Sequence, residues 1–251
     1  MTDPHVDAGV EQVRGLLADA RRVAVLTGAG ISAESGVPTY RGSGGVWKAF
    51  SAKEMASPEG FGRDPPRVWT WHNERRMALA HIQPNAGHRA LADLEGVITD
   101  RGDRFDLATQ NIDGLHQAAG SRNVHELHGT LLAVYCVACG KRQWLGFDPV
   151  EGLPHCESCG GLLRPAIVWF GETLPRDVWL AAADAATACD LFLTVGTSAV
   201  VYPAAGLLEM AVRAGARSVE VNLEATPASE VVDVALHGPA GEILPRLLAD
   251  A

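Results

Sequence analysis

The chain has 251 residues, of which 47% are hydrophobic and 20% are charged. This length and composition predict one globular domain with a sizeable core, and they exclude a disordered or fibrous chain. The 30 acidic residues outnumber the 21 basic ones, so the formal charge is −9 and nucleic acid is not expected as a partner. No apolar run approaches the roughly 18 residues that span a bilayer, and the polar N-terminus is unlike a secretory signal. We therefore expect an acidic protein of the cytoplasm that does not bind membranes.

Helical and strand-like patterns alternate along most of the chain. Residues 10–20 have helical spacing, and buried-strand patterns follow at 23–27, 105–109, 166–170, 191–195 and 218–223. Further helices are predicted at 176–188 and 203–214. Repeated alternation of strands and helices predicts an α/β fold with a doubly wound parallel sheet of the Rossmann type.

Two stretches interrupt this alternation. Residues 36–84 are rich in Gly, Pro, Ser and Trp and have weak periodicity, and residues 131–165 combine four cysteines with more Gly and Pro. Both stretches are predicted to leave the sheet and form a smaller lobe. We expect one domain over residues 1–251, whose larger lobe comprises about 1–35, 85–130 and 166–251.

Four of the five cysteines form two Cys-x-x-Cys pairs with sixteen residues between them. The pairs are Cys136 with Cys139 and Cys156 with Cys159. Two such pairs deliver four thiolates to one tetrahedral centre, and this spacing favours zinc over disulfides in a cytosolic chain. Because four cysteines leave no coordination position for water, we predict a structural zinc ion that holds a small inserted ribbon together.

A glycine-rich run follows the first predicted strand. It reads Gly28-Ala29-Gly30-Ile31-Ser32-Ala33, and its glycines would let backbone N–H groups approach a pyrophosphate. A dehydrogenase would place an acidic residue at the end of the second strand, about twenty positions further on. No buried strand precedes Glu54, whereas Asn222 and Glu224 end a much later strand. The sequence thus predicts that a dinucleotide is bound without hydride-transfer geometry.

Polar residues also follow the strand at 105–109. Asn111 and Asp113 come directly after it, and His128 lies shortly before the cysteine-rich stretch. At the carboxyl end of a parallel strand such groups can converge on one ligand, and a histidine can act as a general base. Helix capping is the alternative for Asn111 and Asp113, and a structural role is the alternative for His128.

These motifs resemble those of the sirtuins, the NAD-dependent protein-lysine deacylases, and are close to the class III, desuccinylase-like subgroup of bacterial type. The resembling segments are residues 28–38, 109–116, 128–129, the two cysteine pairs, 196–198 and 222–224. They occur in the family's order and cover almost the whole chain. The resemblance implies a Rossmann-type lobe, a smaller zinc-binding lobe, and a cleft that takes NAD as co-substrate from one side and an acyl-lysine protein from the other.

The resemblance also implies individual roles. His128 would be the general base, with Asn111 beside it in the catalytic centre. The implied cofactor-binding residues are Gly28, Ala29, Gly30, Ser32, Ala33, Arg41, Trp47, Gln110, Asn111, Ile112, Asp113, Gly196, Thr197, Ser198, Asn222, Leu223, Glu224 and Ala240. The implied substrate-binding residues are His72, Arg75, Val168, Phe170, Gly171 and Val201.

The acyl group is a separate expectation. Sirtuins that remove succinyl or malonyl groups carry Tyr-x-x-Arg, whose Arg binds the acyl carboxylate. Here His72 stands at the Tyr position and Arg75 at the Arg position, and the alternative for Arg75 is a solvated helix residue. We expect a deacetylase with desuccinylase or demalonylase activity. A mono-ADP-ribosyltransferase, a non-catalytic NAD sensor and a zinc-ribbon nucleic-acid binder are the alternatives, and the sequence predicts no oligomeric state.

Overall fold

Six parallel strands form the central sheet. The structure, a computed structural model, describes residues 4–39 and 45–248. The strands are β1 (Arg22–Thr27), β2 (Arg104–Thr109), β3 (Val124–Glu126), β7 (Leu191–Val195), β8 (Arg217–Asn222) and β9 (Val234–His237). Their order is β3-β2-β1-β7-β8-β9, and every neighbouring pair is parallel. This is the order of a doubly wound dinucleotide-binding sheet, in which the chain reverses direction across the sheet beside β1. The predicted fold class is confirmed.

Helices cover both faces of this sheet. The helices in contact with it or at its edge are α1 (Pro4–Asp19), α2 (Ala29–Ala33), α7 (Ala86–Asp100), α8 (Leu115–Ala119), α9 (Arg176–Ala188), α10 (Gly206–Arg213) and α11 (Ala240–Leu248). Val23 and Val25 of β1 pack with α1, α7 and α11, whereas Ala24 and Leu26 pack with α9 and α10. Successive side chains of a strand point to opposite faces, so a strand buried on both faces is apolar throughout. The predicted helix at 203–214 begins three residues later, at Gly206.

A second, antiparallel sheet contains the first two residues of the strand predicted at 166–170. Its strands are β4 (Gly129–Cys136), β5 (Arg142–Trp144) and β6 (Leu163–Ile167), in the order β5-β4-β6. The apolar run around Ala166 was expected to continue the strand–helix alternation of the parallel sheet, and that expectation is wrong. The run belongs to β6, which ends at Ile167 and pairs with β4. An apolar run shows that a strand is buried, but it does not show which sheet buries it.

Four helices occupy much of the stretch in which the sequence showed weak periodicity. They are α3 (Val46–Ala49), α4 (Ala52–Met55), α5 (Pro58–Arg63) and α6 (Pro65–Leu79). Side chains cap two of them: Ser57 Oγ accepts from the Gly60 N–H, and Asp64 Oδ1 accepts from the Arg67 N–H. Phe61 of α5 and Val68 of α6 share an apolar cluster with Leu131 and Ile167 of the second sheet. The predicted lobe boundaries stay predictions. No helix within residues 4–39 and 45–248 is both long and apolar enough to cross a bilayer.

Candidate active site

A cavity of about 760 Å³ lies at the carboxyl ends of the parallel strands. Gly28, Gln110 and Gly196 directly follow β1, β2 and β7, and all three line it together with Asn222, the last residue of β8. Because the four strands run in the same direction, their carboxyl ends meet at one edge of the sheet. Residues far apart in the sequence therefore converge on one cavity of the size that small ligands occupy.

Most of the predicted binding residues line this cavity. They are Gly28, Ala29, Gly30, Ala33, His72, Gln110, Asn111, Ile112, His128, Val168, Phe170, Gly171, Gly196, Thr197, Ser198, Val201, Asn222, Leu223, Glu224 and Ala240. Ser32 and Asp113 are buried behind the wall, and Arg75 lines a second cavity instead. Arg41 lies outside the described residues, and the side chain of Trp47 is likewise not described.

The glycines after β1 pack against the turn after β7. The Gly30 N–H donates to the Gly196 carbonyl at 2.7 Å, and a Cβ on Gly30 would lie 2.7 Å from the Gly196 Cα. Gly196 has a φ of +59°, a conformation that favours glycine. The sequence interpretation was that the glycines admit a pyrophosphate. The structure adds a second reason for glycine at these positions, because a side chain there would collide with the loop that follows β7.

Two buried neighbours orient Asn111. Its Nδ2 donates to the Gly28 carbonyl and to Ser32 Oγ, each at 3.1 Å, and Ser32 Oγ donates to Asp113 at 2.8 Å. Burial raises the pKa of Asp113, although hydrogen bonds from Leu115 and Ser32 oppose the shift. Since both Nδ2 protons are used, Asn111 has Oδ1 left as its polar atom. Asp113 also accepts from the Leu115 N–H at the start of α8, so helix capping is part of its role.

The imidazole of His128 lines the cavity in a defined tautomer. Its Nδ1 lies 2.9 Å from the Gln110 carbonyl oxygen, which can only accept, so Nδ1 carries the proton. Burial lowers the pKa of His128, and the hydrogen bond to Gln110 opposes that effect. The ring is therefore neutral at pH 7, and its lone pair is on Nε2. This is the form that a general base requires.

His72 and Arg75 point to different cavities. Nε2 of His72 donates to the Met55 carbonyl at 2.8 Å, and Nδ1 is buried without a hydrogen-bond partner in the described part of the chain. Burial lowers the pKa of His72 to about 3, so the ring is neutral. The Arg75 guanidinium lies 3.5 Å from the centre of the Trp71 ring and donates to the Trp71 carbonyl. Only His72 of the predicted carboxylate-binding pair lines the main cavity.

The segment with Val168, Phe170 and Gly171, which the resemblance assigns to substrate binding, lines one side of the cavity. The N–H groups of Val168 and Phe170 donate to the carbonyls of His128 and Ala56, each at 2.9 Å. Those two donors are therefore used within the protein. Pairing with a peptide backbone would have to use other groups of the segment.

The four predicted zinc ligands lie together. Their Sγ atoms are all within 4.8 Å of one another, and the Cys136–Cys159 and Cys139–Cys156 pairs are 3.5 Å and 3.8 Å apart. A disulfide needs about 2.05 Å, whereas two sulfurs bound tetrahedrally to one zinc ion are about 3.8 Å apart. The cluster therefore fits a four-thiolate zinc site.

Sequence reasoning missed one aromatic residue and three loop residues of the cavity. Trp71 lines it, as do the three residues 225–227 that follow Glu224. Trp169, which also lines the cavity, lies between Val168 and Phe170 in the segment that the resemblance assigns to substrate binding. Nothing in the local pattern placed Trp71 in the cavity, because it lies on a helix in the stretch with weak periodicity.

The fold and the site together define a Rossmann-type protein with a ligand cavity at the edge of its parallel sheet and a four-thiolate centre in an antiparallel sheet region. The model of the Sir2 family matches residues 28–203. The chain belongs to the Sir2 family.

Relatives and solved structures agree with this assignment. The chain is 51% identical to "NAD-dependent protein deacylase 2" of Pyrobaculum aerophilum, over 95% of this chain and 94% of the relative. It is 41% identical to "NAD-dependent protein deacylase sirtuin-5, mitochondrial" of Danio rerio, over 99% of this chain and 88% of the relative. A crystal structure of a Sir2 homologue–NAD complex superposes with a TM-score of 0.88 at 41% identity, covering 95% and 92% of the chains. A Sir2 protein bound to acetylated peptide gives 0.84 at 33% identity, covering 96% and 98%.

Proposed function

We propose that this protein is an NAD-dependent protein-lysine deacylase, which releases nicotinamide and an acyl-ADP-ribose ester. The observation that carries the proposal is a neutral His128, with its lone pair on Nε2, in the same cavity as Asn111 and the strand-end loops. The curated relatives are named as deacylases of this kind. Related structures contain NAD in one case and an acetylated peptide in another.

The cavity offers a separate group for each part of NAD. Ser198, Asn222 and Glu224, at the ends of β7 and β8, would hold the adenosine half, and Gly28 with its neighbours would hold the phosphates. Asn111 would face the nicotinamide ribose through its Oδ1, because both Nδ2 protons are bound elsewhere. This assignment leaves the rim around Val168 to the acyl-lysine.

The reaction breaks the glycosidic bond of NAD. The acyl oxygen of the substrate attacks the ribose carbon, and nicotinamide leaves. His128 Nε2 would then remove a ribose hydroxyl proton, so that this oxygen attacks the acyl carbon, and water completes release of the free lysine. The protein's contribution is to bind both substrates in contact and to exclude bulk water from them. The four cysteines would hold zinc, which stabilises the ribbon and contributes to no step of this reaction.

The test uses purified, zinc-loaded protein and an acetyl-lysine peptide, with and without NAD. We expect nicotinamide and free lysine in equal amounts, and only with NAD. His128→Ala should lower turnover by about 10²–10⁴-fold, whereas His81→Ala, at an exposed position outside the cavity, should leave it unchanged. Turnover of His128→Ala near that of the unsubstituted protein would contradict the general-base role.

The same products separate the alternatives. ADP-ribose attached to protein, without freed lysine, would indicate a mono-ADP-ribosyltransferase. NAD binding without nicotinamide release would indicate a sensor. Either result would reject the deacylase.

The preferred acyl group stays a prediction. A carboxylate role for Arg75 requires its guanidinium to leave the Trp71 ring, where it lies 3.5 Å from the ring centre. Competing acetyl- and succinyl-peptide assays on the unsubstituted protein and on Arg75→Ala decide the matter. An unchanged succinyl rate in the variant would reject the carboxylate role. Cytoplasmic location and lack of nucleic-acid binding stay predictions from the sequence.

A further inference from the structure

A buried carboxylate lies directly behind the wall of the cavity at the end of β8. Glu220 is 1% exposed and does not line the cavity itself. Each of its oxygens receives a hydrogen bond from a hydroxyl, one from Thr226 and one from Ser229. A buried carboxylate is costly unless its oxygens are hydrogen-bonded, and here both are.

Each of these hydroxyls donates to Glu220 and accepts from a backbone N–H group. Thr226 Oγ1 accepts from the Ala228 N–H, and Ser229 Oγ accepts from the Thr226 N–H, each at 3.0 Å. A backbone N–H can only donate, so it occupies one lone pair of the hydroxyl and leaves the hydroxyl proton to donate to Glu220. Glu220 therefore accepts at both oxygens, which a carboxylate can do and a glutamine side chain cannot.

These bonds hold one wall of the cavity. All seven residues 221–227, which follow Glu220 in the chain, line the cavity. Thr226 and Ser229 also form the capping box of the short 3₁₀ helix Pro227–Glu230, which ends this loop. Glu220 thus ties the start of the loop, in β8, to its far end. In addition, Ser229 Oγ lies 3.5 Å from Nε2 of His237, which precedes a second part of the wall.

We propose that Glu220 is a positioning residue for the adenosine half of NAD, and that it acts through the hydroxyls of Thr226 and Ser229 on the loop 221–227. This inference rests on the proposed function in one respect, namely that NAD is the ligand of the cavity. Glu220 does not touch the ligand. It fixes the loop that carries Asn222 and Glu224, so the loop does not have to be ordered when NAD binds.

The experiment measures NAD binding by titration calorimetry on zinc-loaded protein. Glu220→Gln should raise the dissociation constant for NAD by about tenfold, equivalent to about 1.4 kcal/mol. Ser229→Ala, which removes one of the two bonds to Glu220 together with the bond from the Thr226 N–H, should raise it by about threefold. Glu230→Gln is the matched control, because it removes an exposed carboxylate from the same 3₁₀ helix, and it should leave binding unchanged.

Steady-state kinetics distinguish positioning from a general loss of stability. In both test variants KM for NAD should rise by the same factor as the dissociation constant. At saturating NAD, kcat and KM for the acetyl peptide should change by less than about twofold. An unchanged KM for NAD, or an equal loss in every parameter, would overturn the inference. If Glu220→Gln does not fold, Ser229→Ala carries the test, and an unchanged dissociation constant in that variant overturns it.

The outcomes separate this inference from the proposed function. If the unsubstituted protein binds NAD but frees no lysine, the proposed deacylase function is refuted. The role of Glu220 is then still tested by the NAD dissociation constants of the variants. An unsubstituted protein that does not bind NAD would refute both.

Discussion

Loss of the Glu172 carboxylate should destabilise the protein strongly, because Glu172 is paired with a buried arginine. The side chain of Arg164 is 4% exposed, and its guanidinium lies 3.3 Å from the centre of the Trp169 ring. Two parallel hydrogen bonds of 2.7 and 2.8 Å join it to Glu172, which also accepts from the Trp169 N–H. Burial raises the pKa of Glu172, but the bonds from Arg164 and Trp169 outweigh it and hold the pKa below its usual range. The pair is therefore charged at pH 7.

The magnitude follows from the burial of the two partners. Removing one member of a buried ion pair costs about 3–5 kcal/mol, because the other charge is left without a partner. The side chain of Glu172 is 25% exposed, so water can reach part of the site, and we expect the lower end, about 3 kcal/mol. For a chain of this length that loss corresponds to a melting temperature about 6–12 °C lower.

The assay is thermal unfolding of Glu172→Gln followed by circular dichroism. Glu11→Gln provides the control, because Glu11 is 69% exposed and its ion pair with Arg14 should contribute less than about 1 kcal/mol. Trp169 lines the cavity, so KM for the acyl peptide should also rise in Glu172→Gln. A melting temperature within about 2 °C of the unsubstituted protein would refute the reasoning.

Two further predictions concern acid and metal. Burial lowers the pKa of His72 and His116 to about 3 and that of His88 to about 4. Below about pH 6.5 these histidines therefore bind protons in the unfolded chain before they do so in the folded chain. Stability should therefore fall as the pH drops from about 6.5 towards 4, by about 2 kcal/mol per histidine at pH 5. Urea unfolding at pH 7 and pH 5 measures this, and a total change below about 1 kcal/mol would contradict it. Purified protein should also contain one zinc ion per chain by atomic absorption. Cys139→Ser should lose it and melt at a lower temperature, whereas full zinc occupancy in that variant would argue against the four-thiolate site.

The spacing of residues along the sequence was enough to predict the features that depend on nearby residues. The two Cys-x-x-Cys pairs predicted a four-thiolate cluster, and the structure brings all four Sγ atoms within 4.8 Å. The alternation of strands and helices predicted the parallel sheet, because a strand buried on both faces must be apolar throughout. The polar residues after β1, β2, β7 and β8 were expected at one edge, and they line one cavity there.

Other features depend on partners that are distant in the sequence. The apolar run around Ala166 has a pattern that fits a strand of either sheet. In the structure it pairs with β4 in the antiparallel sheet. Asn111 is oriented by Ser32, 79 residues away, and His72 is held by the Met55 carbonyl, 17 residues away. Hydrophobic periodicity reports whether a residue is buried, not which group it meets.

By itself, therefore, the sequence determined the fold class, the four-cysteine cluster and the chemical character of the strand-end loops. Only the tertiary structure decided the tautomer of His128, the separation of His72 from Arg75, and the attachment of the loop 221–227 to Glu220. The physical reason is that hydrogen bonds and ion pairs in the interior are set by which surfaces pack together. A pattern along one chain does not specify those contacts.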